Sequence, residues 1–236
     1  VRPRRNAFND GMLTELLEAL STAEQTSKLK VLVLKGAGKV FSAGADLQWM
    51  QQVADYSYDE NLRESKTLSE LFRRIYHSPL TVIAYVHGAA MGGALGLVSA
   101  SDIVVADPDT KFRFSEVKLG LVPATIAPYV LKRISLSAAR YYMLSAMPFT
   151  GENGYEMGLV NTLKPFAEFE THQQDFLEEL RENGHEAMQL TKILLNRIAE
   201  QAPEEVQEDT IKVIAAARVS EEGQQRMQHF FKKKQK

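Results

Sequence analysis

The residues best able to do chemistry are two small-residue turns and one carboxylate. The first turn lies in HGAAMGGALGLVSASD, His87 to Asp102, where Gly92 and Gly93 join a β-type run to a helical-looking one. Glycines lack a Cβ, so their N–H groups can approach a ligand closely. A helix start also leaves its first N–H groups unpaired and carries partial positive charge. Such a turn can hold an oxygen that is becoming an anion. The second turn lies in FSAGADLQWM, Phe41 to Met50, around Gly44 and Ala45. N–H groups from two turns can serve one oxyanion, although packing is the plainer reading of either turn alone.

The carboxylate is Glu116, set between KFRF and VKLGLVPA. It reads either as an exposed loop group or as an acid in an apolar pocket. In a pocket its pKa rises, and it can pass a proton near neutrality. Other candidates are weaker. His87 stands at a strand end and reads as a satisfied structural residue. No second histidine lies at metal spacing, so no metal is expected. Asp102 reads as a local pair or cap, and Trp49 and Met50 as core or pocket wall. GAGK, Gly36 to Lys39, lacks the third glycine and following helix of a phosphate loop. There is no G-x-S-x-G elbow.

Elements must position these groups. Phe8 to Glu24 has helical spacing, capped by Asn9 or Asp10. Lys30 to Lys35 reads as a buried strand. Helical character begins near Asp46 and resumes over Asn61 to Tyr76, with Tyr56 to Glu60 as a polar lid-side loop. Ser78-Pro79 stops that helix. A strand, Thr81 to Val86, feeds the glycine turn. Two short strands, Ile103 to Ala106 and Lys111 to Phe114, flank the turn DPDT. Helices follow over about Thr125 to Ile134, Ser137 to Leu144 and Thr150 to Met157, then a short strand, Gly158 to Asn161. From Phe169 the pattern is purely helical: Gln173 to Glu182, His185 to Glu200, Pro203 to Val219 and Glu221 to Lys234. The closing lysines read as a solvated tail.

Composition narrows the class. The chain has 236 residues, 28 Lys and Arg against 30 Asp and Glu, and no cysteine. The near-neutral balance gives no nucleic-acid or membrane signal. The absence of cysteine removes disulfides and thiolate nucleophiles and fits a reducing compartment. No apolar run approaches a membrane span. A cytoplasmic location is the expectation. The abrupt opening, VRPRRNAF, reads as the end of a strand and turn whose earlier part is missing.

FSAGADLQWM, HGAAMGGALGL, SDIVVADPDTKFRFSEVKLGLVPA and TGENGYEMGLVN, in that order and spacing, resemble the enoyl-CoA hydratase/isomerase (crotonase) superfamily. The resemblance runs from about Arg2 through the C-terminal helices. GADLQWM, YSYDEN and LGLVPATIAPYV look most like bacterial methylglutaconyl-CoA hydratases. The resemblance implies an α/β fold with a ββα spiral core, residues 1–168, and a helical region, 169–236, that builds trimers or hexamers. It implies an acyl-CoA substrate and no separate cofactor. The thioester carbonyl would sit between the N–H groups of Ala45 and Gly93, and the adenine against Ala43, Ala45, Asp46, Leu47 and Gln48. Lys39 and Arg5 would lie near the phosphates, and Glu116 would be the acid/base.

One position departs from that pattern. Two-carboxylate hydratases carry a glutamate a few residues after the glycine turn, and this chain has Gly96 there. The missing side chain would leave room for a branched or carboxylated acyl group. The first expectation is a hydratase of such an enoyl-CoA, with 3-methylglutaconyl-CoA as the best single guess. The second is a Δ3,Δ2-enoyl-CoA isomerase using Glu116 alone. The third is a non-catalytic acyl-CoA-binding subunit.

Overall fold

A computed structural model describes residues 5–234 of the chain. The first residues of VRPRRNAF and the last two of the lysine tail lie outside them. The order of elements is α1 (Asp10–Gln25), β1 (Val31–Lys35), α2 (Leu47–Ala54), α3 (Tyr58–His77), β2 (Thr81–Val86), β3 (Ala89–Met91) and α4 (Ala94–Ala100). Then come β4 (Ile103–Ala106), β5 (Lys111–Arg113), α5 (Ala127–Val130), α6 (Leu136–Ser145), α7 (Gly151–Glu156) and β6 (Thr162–Leu163). Four helices complete the chain: α8 (Phe169–Arg181), α9 (His185–Ile198), α10 (Pro203–Val219) and α11 (Glu221–Lys234).

Four strands form one parallel sheet in the order β1-β2-β4-β6. Parallel strands covered on both faces read as continuous apolar runs, which is why VLVLK, TVIAYV and IVVA lack alternation. On one face Val82, Ala84, Val86, Val104 and Ala106 join a core with Leu71, Phe72, Ile75, Leu95 and Val98. On the other, Ile83, Tyr85 and Val105 pack against Phe169 and Phe176 of α8. Tyr85 Oη lies 2.9 Å from His172 Nδ1. A second sheet pairs β3 with β5, also parallel.

The C-terminal helices are tied to this core by a buried ammonium. Lys192 Nζ donates to Asp102 Oδ2 at 2.7 Å, Leu80 O at 3.0 Å and Ile75 O at 3.3 Å. Asp102 Oδ2 also accepts the N–H of Val82 at 2.7 Å. Asp102 therefore pairs, and its chief partner lies ninety residues away.

Two sequence expectations need correction. Tyr58 to Glu60 do not form a lid-side loop but the first turn of α3. Ser57 and Glu60 make a reciprocal capping box there, a signal carried by the S-x-x-E spacing. Gly158 to Asn161 is not a strand: Gly158 has φ +89° and the strand is the next pair, Thr162–Leu163. α11 runs to Lys234 as its spacing predicts, and Lys232 and Lys233 are exposed, as a solvated end requires.

Candidate active site

Three neighbouring segments run parallel and end together. Ser42 is bridged to Ala90, and Ala90 is paired with Phe112. Three residues beyond that row lie Ala45 and Gly93, and four residues beyond it lies Glu116. The register thus carries the two turns and the carboxylate to the same end of three adjacent chains. Gly44 belongs where it is because a Cβ there would stand 2.9 Å from Met91 O, and because its φ is +89°. Only a residue without a side chain lets the two segments approach so closely.

The N–H groups of Ala45 and Gly93 donate no hydrogen bond among the described residues. Three of their four chain neighbours are engaged. Gly44 N donates to Ser42 Oγ at 3.2 Å, Asp46 N to Phe8 O at 2.8 Å, and Gly92 N to Arg113 O at 2.9 Å. Gly93 is the N-cap of α4, so its N–H is one of the donors a helix start leaves over. Asp46 caps α2, its Oδ1 accepting from Gln48 N at 2.9 Å and Trp49 N at 3.3 Å.

Glu116 opens a short 3₁₀ turn and is half-buried. Its Oε2 is buried and has no hydrogen-bond partner. Its Oε1 is 3.7 Å from where a Cβ of Gly92 would sit. Burial pushes the carboxyl above its ordinary value, against the pull of the backbone N–H groups of Glu116 and Ser115. The carboxyl is thus a buried group and not a fully exposed loop one.

Ala43, Ala45, Asp46, Leu47 and Gln48, together with Ala7, line a cavity of about 480 Å³ beside the second turn. Lys39 and Arg5 are exposed and do not line it. Arg5 enters the site only through its backbone, whose carbonyl accepts Ala43 N–H at 3.1 Å. Two larger hollows, of about 640 and 610 Å³, lie along the C-terminal helices and touch neither turn nor Glu116. Among the described residues no group of three or more His, Cys, Asp or Glu is placed to hold a metal. His87 is structural in its contacts: Nε2 is 2.8 Å from Gly38 O and the ring stacks on Phe166 at 4.2 Å. Trp49 is buried and donates to Asp10 Oδ1 at 3.1 Å.

The space expected beside Gly96 is not there. A Cβ at that position would stand 2.4 Å from Phe72 Cζ and 2.6 Å from Ile126 Cγ2. Sequence reasoning also missed the residues that hold the turns. Ser42 Oγ donates to Asn6 O at 2.8 Å while accepting from Gly44. Asn6 Nδ2 donates to Ala37 O, Val40 O and Phe41 O at 2.8, 2.9 and 3.1 Å. Phe8 bridges to Ala45, and its ring is 3.7 Å from the Cβ position of Gly93. The N-A-F and F-S-A triplets were the available signals, too short to read without the pairing.

Two unpaired donors and a buried carboxyl equip a site to polarise a carbonyl and move a proton beside it. The chain belongs to the enoyl-CoA hydratase/isomerase family, whose model matches residues 1–236. It has the crotonase fold and is an enzyme of that family. An enoyl-CoA hydratase from Shewanella pealeana superposes with a TM-score of 0.93 at 37% identity, over 98% of this chain and 86% of that one. A candidate enoyl-CoA hydratase of Thermus thermophilus is 34% identical over 192 residues, 81% of this chain and 76% of the relative. The bacillaene synthase dehydratase PksH of Bacillus subtilis is 34% identical over 156 residues, 66% of this chain and 60% of its own length. No described helix is long and apolar enough to cross a membrane.

Proposed function

We propose that the chain adds water across the α,β double bond of an enoyl-CoA thioester, with Glu116 as the acid/base. The observation that carries this reading is the Glu116 carboxyl, its Oε2 buried without a partner, at the same end of three adjacent segments as two unpaired N–H groups. The thioester oxygen is held by the N–H groups of Ala45 and Gly93, and CoA lies along Ala43 to Gln48, with Lys39 and Arg5 toward the phosphates. Glu116 takes a proton from water as its oxygen bonds to Cβ. The π electrons move to the thioester oxygen as an enolate, and Glu116 returns the proton to Cα. The donors act on charge that develops in the transition state, where each removed donor costs roughly 3 kcal/mol.

The finer part of the proposal is the acyl group, for which the motif resemblance nominates 3-methylglutaconyl-CoA. The filled volume at Gly96 gives that choice no support of its own. Residues 1–168 serve as the catalytic core and 169–236 as the subunit-contact region of a trimer or hexamer. The exposed Leu195, Ile211 and Ile214 fit that role. A cytoplasmic location completes the reading.

Phe72 in the place of a second acid favours one alternative, an isomerase that shuttles a proton between carbons with Glu116 alone. Turnover of crotonyl-CoA, 3-methylglutaconyl-CoA and a 3-enoyl-CoA in heavy-oxygen water separates the two. Label in the product supports hydration. Double-bond migration without label supports the isomerase. Binding of every ester without turnover favours a non-catalytic acyl-CoA-binding subunit.

A further inference from the structure

Two glycines lie at the start of α4, Gly92 just before the helix and Gly96 within it, and they face different surroundings. Gly92 looks onto Ser115 Oγ at 3.3 Å and Glu116 Oε1 at 3.7 Å. Gly96 looks onto Phe72 and Ile126 at contacts so short that no Cβ fits. Phe72 is 0% exposed and Ile126 1%. The Phe72 ring is held from behind, edge-on to Tyr129 at 6.2 Å, and Tyr129 leans on Tyr76 at 5.5 Å. A close-packed ring with such backing has little room to move.

We infer that Phe72 and Ile126 determine acyl specificity by closing the site on the Gly96 side of Glu116. The inference rests on the reading above, in which the thioester oxygen sits at Ala45 and Gly93. With proton transfer at Glu116, the reacting carbons lie over Gly92. Any bulk on the next carbon is then directed either toward the turn carrying Gly96 or away from α4. The first path meets Phe72. The favoured ligands are thioesters without a branch on that side, which weighs against the 3-methylglutaconyl group named above, and a branch that is accepted lies on the opposite face. The same two side chains exclude a second carboxylate, so the absence of a glutamate at position 96 follows from the packing of α3 and α5 against α4.

The test measures dissociation constants for CoA, butanoyl-CoA and 3-methylbutanoyl-CoA, unreactive esters that differ by one branch. Calorimetry on the parent, Phe72→Leu and Ile126→Val reads the ratio of branched to straight affinity. One methylene's worth of space in an apolar pocket is worth about tenfold or more in discrimination. The parent is expected to prefer the straight ester by about that factor, and each variant to lose most of the preference with CoA affinity unchanged. Ile126→Val keeps the test open should Phe72→Leu fold poorly. An unchanged ratio in folded variants overturns the inference and leaves hydration standing. Parent binding of both esters no tighter than CoA overturns the inference and the reading on which it rests.

Discussion

Glu116 Oε1 stands 3.7 Å from the position a Cβ would take on Gly92, whose φ is +53°. The glycine is thus the floor under the reacting carboxyl. Gly92→Ala places a methyl against that oxygen and against Ser115 Oγ at 3.3 Å, in a left-handed conformation that costs about 1–3 kcal/mol for a residue with a side chain. The methyl also strips water from the carboxylate and raises its pKa further. The acid limb of the pH–rate profile should move to higher pH in this variant. A fall in kcat with the acid limb unmoved would show that this contact does not set the protonation of Glu116.

Glu116→Gln should remove turnover while leaving CoA-ester affinity within a few-fold, because the amide keeps the shape and loses the proton. Its effect on stability has a definite sign. Burial raises the carboxyl above its ordinary value of 4.5, so the folded state holds the proton more tightly than the unfolded one. The parent is therefore most stable below that ordinary value and loses stability as pH rises through the interval up to the folded pKa. The Gln variant lacks that loss. Thermal melts should show it gaining on the parent as pH rises above that ordinary value. Equal melting temperatures at every pH would mean that the carboxyl is solvated in solution.

Gly93 has φ −54°, a value proline adopts without strain. Gly93→Pro deletes the N–H of the α4 N-cap with little change in backbone shape. Loss of one oxyanion donor lowers kcat by about 10²–10³. The ground-state carbonyl demands less of that donor, so KM should change far less than kcat. An equal rise in KM with kcat kept would place Gly93 in binding alone.

Strands β1, β2, β4 and β5 and most helices were legible because each is specified locally. KVLVLK, TVIAYV and IVVA are apolar runs bounded by turns, and Asn9 and Asp46 are side-chain caps next to their helices. The burial of Glu116 was legible because apolar neighbours in sequence are a fair guide to burial. What failed lay between distant segments. Nothing near Gly96 announces that Phe72, twenty-four residues earlier, occupies its side-chain space. Nothing near Asp102 announces Lys192. Asn6 and Ser42 look like ordinary loop residues until pairing shows one holding three carbonyls and the other bridging Asn6 to Gly44. The box at Ser57 and Glu60 was local and readable, and the polar run around it masked the signal.

The Lys192–Asp102 contact makes the strongest claim on stability outside the site. Lys192 is 9% exposed, Asp102 25%, and their separation is 2.7 Å. Burial dominates both groups: it pushes Asp102 up despite the ammonium, and Lys192 down despite the carboxylate. Each charge is therefore held in place mainly by the other, with Leu80 O, Ile75 O and Val82 N–H satisfying the remainder. Removing one partner leaves the other buried and uncompensated, at a cost of about 3–5 kcal/mol. Lys192→Met should lower the free energy of unfolding, read by denaturant titration, by that amount. Lys192→Met with Asp102→Asn should recover most of it, because the amide still accepts from Val82 and carries no charge to bury. The contact joins α9 to the start of β2 and the end of α4, so the single variant should loosen the C-terminal helices first. Hydrogen exchange should report that as faster exchange across α8 to α11 than in the sheet. A double variant no more stable than the single one would locate the energy in the packing of the lysine stem, not in the ion pair.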